Sequence, residues 1–495
     1  MSVRNNTKTL LMTFGAALAL SACGGGSDRV VSPGEGAFPP APPPTTPPPT
    51  TPPPTTPPPP TAGPAVDCPA GFTDTGTVAG GTLRACQLPT VIASSLTVPK
   101  RAGTVYQITG KTNVGTDRGG NYSSPIVGTA SATLTIEPGV TLFASSGNDY
   151  LVVNRGSQIN AAGTAAEPIT FTARQHIEGN VDANSMGLWG GVILLGRAAI
   201  NACPGSTVSG TPECQTQIEG TSGSMYGGNY NADSSGTMRY VRVLYSGFEI
   251  APGNELQGIT LGGTGTGTTL EFLQVHNSSD DGIEIFGGTS NLRRLVITGA
   301  DDDSLDTDTG WSGGVQFGVV VQRANGGDRM NEFSSINRTP ASAPKVANFT
   351  YVGNALAGAA IELNQGTNAS FYNTVVTRPA GGTGAGLSCL NIAAAPTAGT
   401  FHSVFFSCPT AFNNTAAQTA FEAGTNNVSN QPSTLTDTFV NGANESAVPA
   451  YATLNTVHAF FENVDYIGGV KNAADTWWTG WTCSVPGAAA CAAAL

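Results

Sequence analysis

The chain has 495 residues, 21 Lys and Arg against 33 Asp and Glu, a formal net charge of −12, and only 11% charged residues. That balance argues against a nucleic-acid partner, because neutralising phosphates takes clustered Lys and Arg; it permits cation binding and disfavours tight adhesion to anionic lipid. With 64 Gly and abundant Thr, Ser and Asn, the composition predicts an all-β fold of short strands joined by turns.

In chain order, basic Arg4 and Lys8 precede an apolar run from Leu10 to Leu20, followed by Leu20-Ser21-Ala22-Cys23. The run is too short for a permanent membrane span and reads as a secretory signal. The tetrapeptide resembles the lipobox of bacterial lipoproteins. The resemblance implies cleavage after residue 22, lipid on Cys23, and, with Gly24 rather than Asp in the next position, sorting to the outer membrane. Acyl chains gain about 0.8 kcal/mol per buried CH₂, so a multiply acylated Cys23 is a firm anchor. Residues 23–64 are expected to form a stalk, since Pro39 to Pro60 repeats Pro-Pro-Pro-Thr-Thr. As polyproline II, its length is roughly 70 Å.

Apart from Cys23, eight cysteines fall into near neighbours: Cys68 and Cys86, Cys203 and Cys214, Cys389 and Cys408, Cys483 and Cys491. Four local disulfides are the simplest pairing for an exported chain. Zinc spacings such as Cys-x-x-Cys are absent, and His176, His276, His402 and His458 are dispersed. The segment 65–98 then reads as a small disulfide-closed unit.

From residue 99 to 460 the pattern is that of a parallel β-solenoid. The phrase Leu134 to Leu142 alternates with period two, pointing Leu134, Ile136, Val140 and Leu142 inward around a Glu137-Pro138-Gly139 corner. A triplet, apolar-x-x-apolar-x-apolar, recurs six times: Met238, Val241, Val243; Leu270, Leu273, Val275; Leu292, Leu295, Ile297; Val346, Phe349, Tyr351; Phe371, Thr374, Val376; Phe401, Val404, Phe406. The leading positions stand 32, 22, 54, 25 and 30 residues apart, the spacing of solenoid coils. The longest gap is expected to hold a coil plus a surface insertion. Residues 461–495, with Trp477, Trp478 and Trp481, are expected to cap the open end of the solenoid.

These phrases, with Gly187 to Gly196, Ile218-Glu219-Gly220, Ser235 to Val243, Asp280 to Gly288 and Asp465 to Gly469, resemble exported, often lipid-anchored bacterial proteins of the right-handed parallel β-helix type. The likeness covers roughly residues 99–483. It implies a surface lipoprotein that binds a ligand or partner, as an accessory to a TonB-dependent transporter or as an adhesive or structural element. The same fold houses polysaccharide lyases, which is fold analogy only.

The strongest chemical signal is acidic. Leu270, Leu273 and Val275 are each 22 residues before Leu292, Leu295 and Ile297, and the same register places Asp280 against Asp302, Asp281 against Asp303, and Glu284 against Asp306. Coils lie about 4.8 Å apart, so these carboxylates should stack on one edge. The 32-residue offset of the preceding coil adds Glu249 beside Asp281, and Asp301 and Asp308 flank the set. Like charges at that distance need an offset. Three are open: a hard cation, Ca²⁺ first, which takes six to eight oxygens; Asx-type hydrogen bonds at successive corners; or paired acid and base chemistry with Arg293, Arg294, Arg323 or Arg329 nearby.

Two functions follow as expectations. The first is a non-enzymatic, outer-membrane-anchored surface module facing a transporter or a surface polysaccharide. The alternative is a Ca²⁺-dependent polysaccharide lyase or glycoside hydrolase.

Overall fold

In the computed structural model, residues 63–356, 358–379 and 386–493 are described; the signal, Cys23 and nearly all of the stalk lie outside them. The described chain is a right-handed parallel β-helix with three faces. Strands Thr133–Ile136, Thr141–Ala144 and Tyr150–Val153 occupy the first, second and third face of one coil. Strands Gln158–Ala162, Ile169–Ala173 and Gly191–Leu195 do so in the next, in parallel register coil upon coil. Leu134, Ile136, Val140 and Leu142 all point into the apolar column.

From Gly236–Leu244 onward, the first two faces are built by one continuous strand per coil. Each such strand bends at a single left-handed residue. Seven successive coils carry it, at Tyr240, Phe272, Arg294, Phe317, Asn348, Asn373 and Ser403, with φ between 48° and 63°. This bend is the physical origin of the triplet. The left-handed residue absorbs one position, so the first, fourth and sixth residues all face inward, and every triplet residue is buried.

The longest gap holds the further coil expected of it, Gly314–Val321, paired to both neighbours through Leu292, Val315 and Val346. Its middle triplet position is Gly318, where a Cβ would come within 2.0 Å of the Phe349 ring. The neighbouring aromatic fills that space, so the apolar letter is missing from the sequence.

The four expected disulfides form, Cys68–Cys86, Cys203–Cys214, Cys389–Cys408 and Cys483–Cys491. The last coil is closed by the helix Thr415–Glu422, N-capped by Asn414. Its Ala417 and Phe421 join the core beside Phe401, Phe406 and Phe412. The Trp-rich segment, expected there, lies elsewhere: the C-terminal tail runs back along the outside of the second face. Asn373 donates to Tyr451 O (3.2 Å) and accepts from its N–H (2.7 Å). Gln316 brackets Glu462 and Gln274 brackets Cys483 in the same way. Trp481 stands edge-on to the stacked rings of Tyr240 and Phe272. Outward-facing Val296, Val319, Val375 and Phe405 are thereby buried, which explains why these strands read as apolar on both faces.

Replacing Asn373 by Ala removes two hydrogen bonds, about 1 kcal/mol each, and places a Cβ-bearing residue lacking a local polar group at φ 48°, which costs about 1 kcal/mol more. Equilibrium denaturation should show a loss of roughly 2–3 kcal/mol for Asn373→Ala and a smaller loss for Asn373→Gly, the reverse of the usual strand order.

Candidate functional site

The carboxylates are placed by alternation on the third face. In Ile283–Phe286 and Leu305–Asp308, buried Ile283, Ile285, Leu305 and Thr307 point inward, which turns Glu284 and Asp306 outward. Glu284 pairs in register with Asp306, Asp306 with Glu332, and Glu332 with Glu362. The ladder therefore has four acidic rungs, two more than the 22-residue offset reveals. The signal for the others was present as an acid between inward-facing residues, in Asn331-Glu332-Phe333 and Ile361-Glu362-Leu363.

Just before these strands the chain turns a corner through Asp280-Asp281-Gly282, Asp302-Asp303-Ser304 and Asp328-Arg329-Met330. Asp281 Oδ1 accepts the N–H of Asp303 (2.9 Å), and Asp303 Oδ1 accepts the N–H of Arg329 (2.7 Å). Gly282 leaves room for the stacking, since a Cβ there would lie 2.5 Å from Ile297. Inter-coil Asp hydrogen bonds at successive corners are thus part of the answer to the repulsion. They use one oxygen of each carboxylate and leave the other free.

What remains is concentrated charge. Carboxylate oxygens of Asp280, Asp281 and Asp302 lie within 4.8 Å of one another, as do those of Asp281, Glu284 and Asp306, and those of Asp302, Asp303 and Asp328. Asp281, Glu284 and Asp303 are at most 6% exposed. Burial, followed by the neighbouring acids, raises the pKa of Asp281, Glu284, Asp303 and Asp306 well above the carboxylate range. Asp302 is raised by the same causes, and Asp280 is pushed up to about 8. The flanking Asp308 rises to about 6, chiefly by burial, and its Oδ1 is buried with no hydrogen-bond partner.

Glu249 is not in the ladder. It sits in an inserted hairpin, Phe248–Ala251 with Asn254–Leu256, and because Ile259 pairs with Ile283, the position beside Asp281 falls to Gln257. In its place the residues 197–235 insertion contributes Glu219, which accepts from Gln257. Burial and then Glu255 push Glu219 to about 7. Of the four candidate arginines, Arg293 and Arg294 lie under the tail, against Glu462 and the rings of Phe460, Phe272 and Phe317. Arg323 pairs with Asp301. Only Arg329 borders the ladder, and it is engaged by Asp328 and, at 3.8 Å, by Glu362. The ladder ends in amides, Asn364 donating to Glu332 and Asn391 to Glu362.

A purely oxygen-based, buried and closely spaced donor set of this kind suits a hard divalent cation. The arrangement supplies carboxylates for acid or base chemistry, but its neighbouring guanidinium is already held by two carboxylates. Residues 107–482 match the family model described as a pectate-lyase like beta helix domain. No curated protein and no solved structure matches the chain.

Because the cluster's pKa values lie above those of the unfolded chain, its carboxyl groups bind more protons in the folded state between about pH 4 and pH 8, and their contribution to stability falls as pH rises through that window. Below about pH 6.5 this is opposed by the four histidines, whose pKa values burial lowers. Asp74, Asp182 and Asp465, lowered mainly by hydrogen bonds, act below the window. Melting temperatures recorded in chelator should decline from about pH 6.5 to pH 8, above the range in which the histidines titrate, and Ca²⁺ should restore stability at pH 8 but have little effect near pH 4.

Proposed function

We propose, for a chain that belongs to the pectate-lyase-like β-helix family, that it works as an exported, outer-membrane-anchored surface module whose carboxylate ladder binds a divalent cation, Ca²⁺ foremost. The observation that carries the reading is the set of carboxylate triads drawn within 4.8 Å on adjoining coils. Asp280, Asp281 and Asp302 would hold the ion at the corner, or Asp281, Glu284 and Asp306 at the strand. Bound there, the cation neutralises the stacked acids and offers open coordination positions to carboxylates of a surface polysaccharide. Four disulfides suit an oxidising, extracytoplasmic compartment, and the lipobox-like Leu20 to Cys23 supports the anchor. A TonB-dependent transporter is the partner suggested by the lipoprotein resemblance.

Family membership favours a second reading, a Ca²⁺-dependent lyase or hydrolase acting on acidic polysaccharide. The engaged state of Arg329 ranks it second, since a lyase needs a base free to take a proton from the substrate.

Calorimetric titration with Ca²⁺ and Mg²⁺, alongside thermal melts, separates these readings. Wild type should bind Ca²⁺ saturably and gain stability, whereas Asp281→Asn, which enters both donor sets, should lose the binding yet melt higher than wild type in chelator, because the repulsion is relieved. An absence of heat and of stabilisation in wild type would leave the acids as turn-formers. Release of unsaturated uronide from polygalacturonate would put the enzyme reading first.

A further inference from the structure

Three arginines meet where the chain leaves the third face in three successive early coils. Arg118 follows Lys111–Val114, Arg155 follows Tyr150–Val153, and Arg197 follows Gly191–Leu195. They share no residue with the carboxylate ladder. Arg155 is fully satisfied, bidentate to Asp117 (2.6 and 2.7 Å) and bonded to Gln215 and Gly227 O. The other two are not. Asp233 spends one oxygen on the backbone N–H of Arg197, and its other oxygen lies 3.9 Å from the guanidinium. Arg197, 3% exposed, has a buried Nη2 with no hydrogen-bond partner, and so does the Nε of Arg118.

Arg118 and Arg197 converge on Gly156, where a Cβ would lie 2.9 Å from Arg118 Cδ and 2.5 Å from Arg197 Nη2. Both line a cleft of about 580 Å³, within the range of small-ligand sites. At its rim, Tyr122 and Tyr230 stack with ring centroids 3.8 Å apart, and Tyr122 is 47% exposed. Unlike buried carboxylates, guanidiniums cannot relieve their repulsion by changing protonation. Among the described residues, three positive charges meet two negative ones, in a protein whose net charge is −12. Buried guanidinium donors are thus left unpartnered beside an exposed aromatic face.

We propose that this cleft binds a saccharide unit bearing an oxyanion, sulfate or carboxylate, with the charge met by Arg118 and Arg197 and the sugar face lying on Tyr122. Planar guanidiniums suit oxyanions, and exposed Tyr provides a rigid, half-apolar platform.

The test is binding of glucose 6-sulfate, glucuronate, glucose and inorganic sulfate to the full chain, followed by calorimetry and saturation-transfer NMR. One or both charged sugars should bind, glucose at least about tenfold more weakly, given the strength of a charge-assisted hydrogen bond. The better of the two identifies the natural oxyanion. Arg118→Gln should weaken the charged sugars about tenfold, while Tyr122→Ala should weaken them without changing inorganic sulfate. Affinity should also fall with added NaCl in wild type, a readout that needs no variant. Charged sugars binding no better than glucose, salt-independent affinity, or undiminished binding in a folded Arg118→Gln would each overturn the proposal.

Discussion

In-register stacking is the constraint on which the structure depends. Every side chain in the parallel regions has a counterpart about 4.8 Å above and below it, so each position is judged by how it tolerates its own neighbours. Apolar side chains gain from this: Phe371 stacks on its in-register neighbour Phe401 with ring centroids 5.5 Å apart. The left-handed bend tolerates it as well, because Tyr240 stacks on Phe272 and Arg294 lies over Phe272 and Phe317. Stabilising contacts between adjacent rungs thus offset a backbone conformation that costs each non-glycine residue about 1–2 kcal/mol. Carboxylates are the exception. Stacking converts one acidic position into a column of repulsion, which is why Glu284, Asp306, Glu332 and Glu362 stand out from an otherwise self-compatible set.

The same constraint decides how much could be read from the sequence. Where consecutive coils had equal length, as between Leu270 and Leu292, register carried over and paired Asp281 with Asp303 and Glu284 with Asp306 correctly. Where a coil contained an excursion, register on one face did not predict the next. The hairpin at Phe248–Ala251 and Asn254–Leu256 made Glu249 look adjacent to Asp281 when Gln257 is. Later coils differ in length, so Glu332 and Glu362 fell outside a fixed offset although their local alternation was plain. Gly318 hid the triplet of the coil expected in the longest gap, because its partner's ring, rather than its own side chain, fills the core. The tail's path was illegible for a different reason. It is set by Gln274, Gln316, Asn348 and Asn373, outward amides that carry no periodic signal, and large apolar residues such as Trp478 and Trp481 serve a flank as well as they serve an end.

The two clusters of like charge on this molecule differ in the escape open to them. Buried carboxylates can take up protons, accept backbone N–H groups, or share a cation, and the corner aspartates already use the second route. The arginines beside Gly156 have no such choice, so their balance must come from outside the cluster. One cluster can therefore answer to proton concentration, while the other holds a fixed positive charge in an acidic protein.

The tail's course has a consequence for how the chain must be made. Its last residues reach His176, since Ala493 O contacts that imidazole at 3.1 Å, and on the way they cover a stripe that includes Phe405, Val375, Val319 and Val296. Every coil is already in place by Val428–Ser429. A chain ending there would hold the complete solenoid yet display an uncovered greasy seam along its length, so an interrupted product would differ from a finished one in surface rather than in fold, and quality control that samples exposed apolar surface would tell them apart.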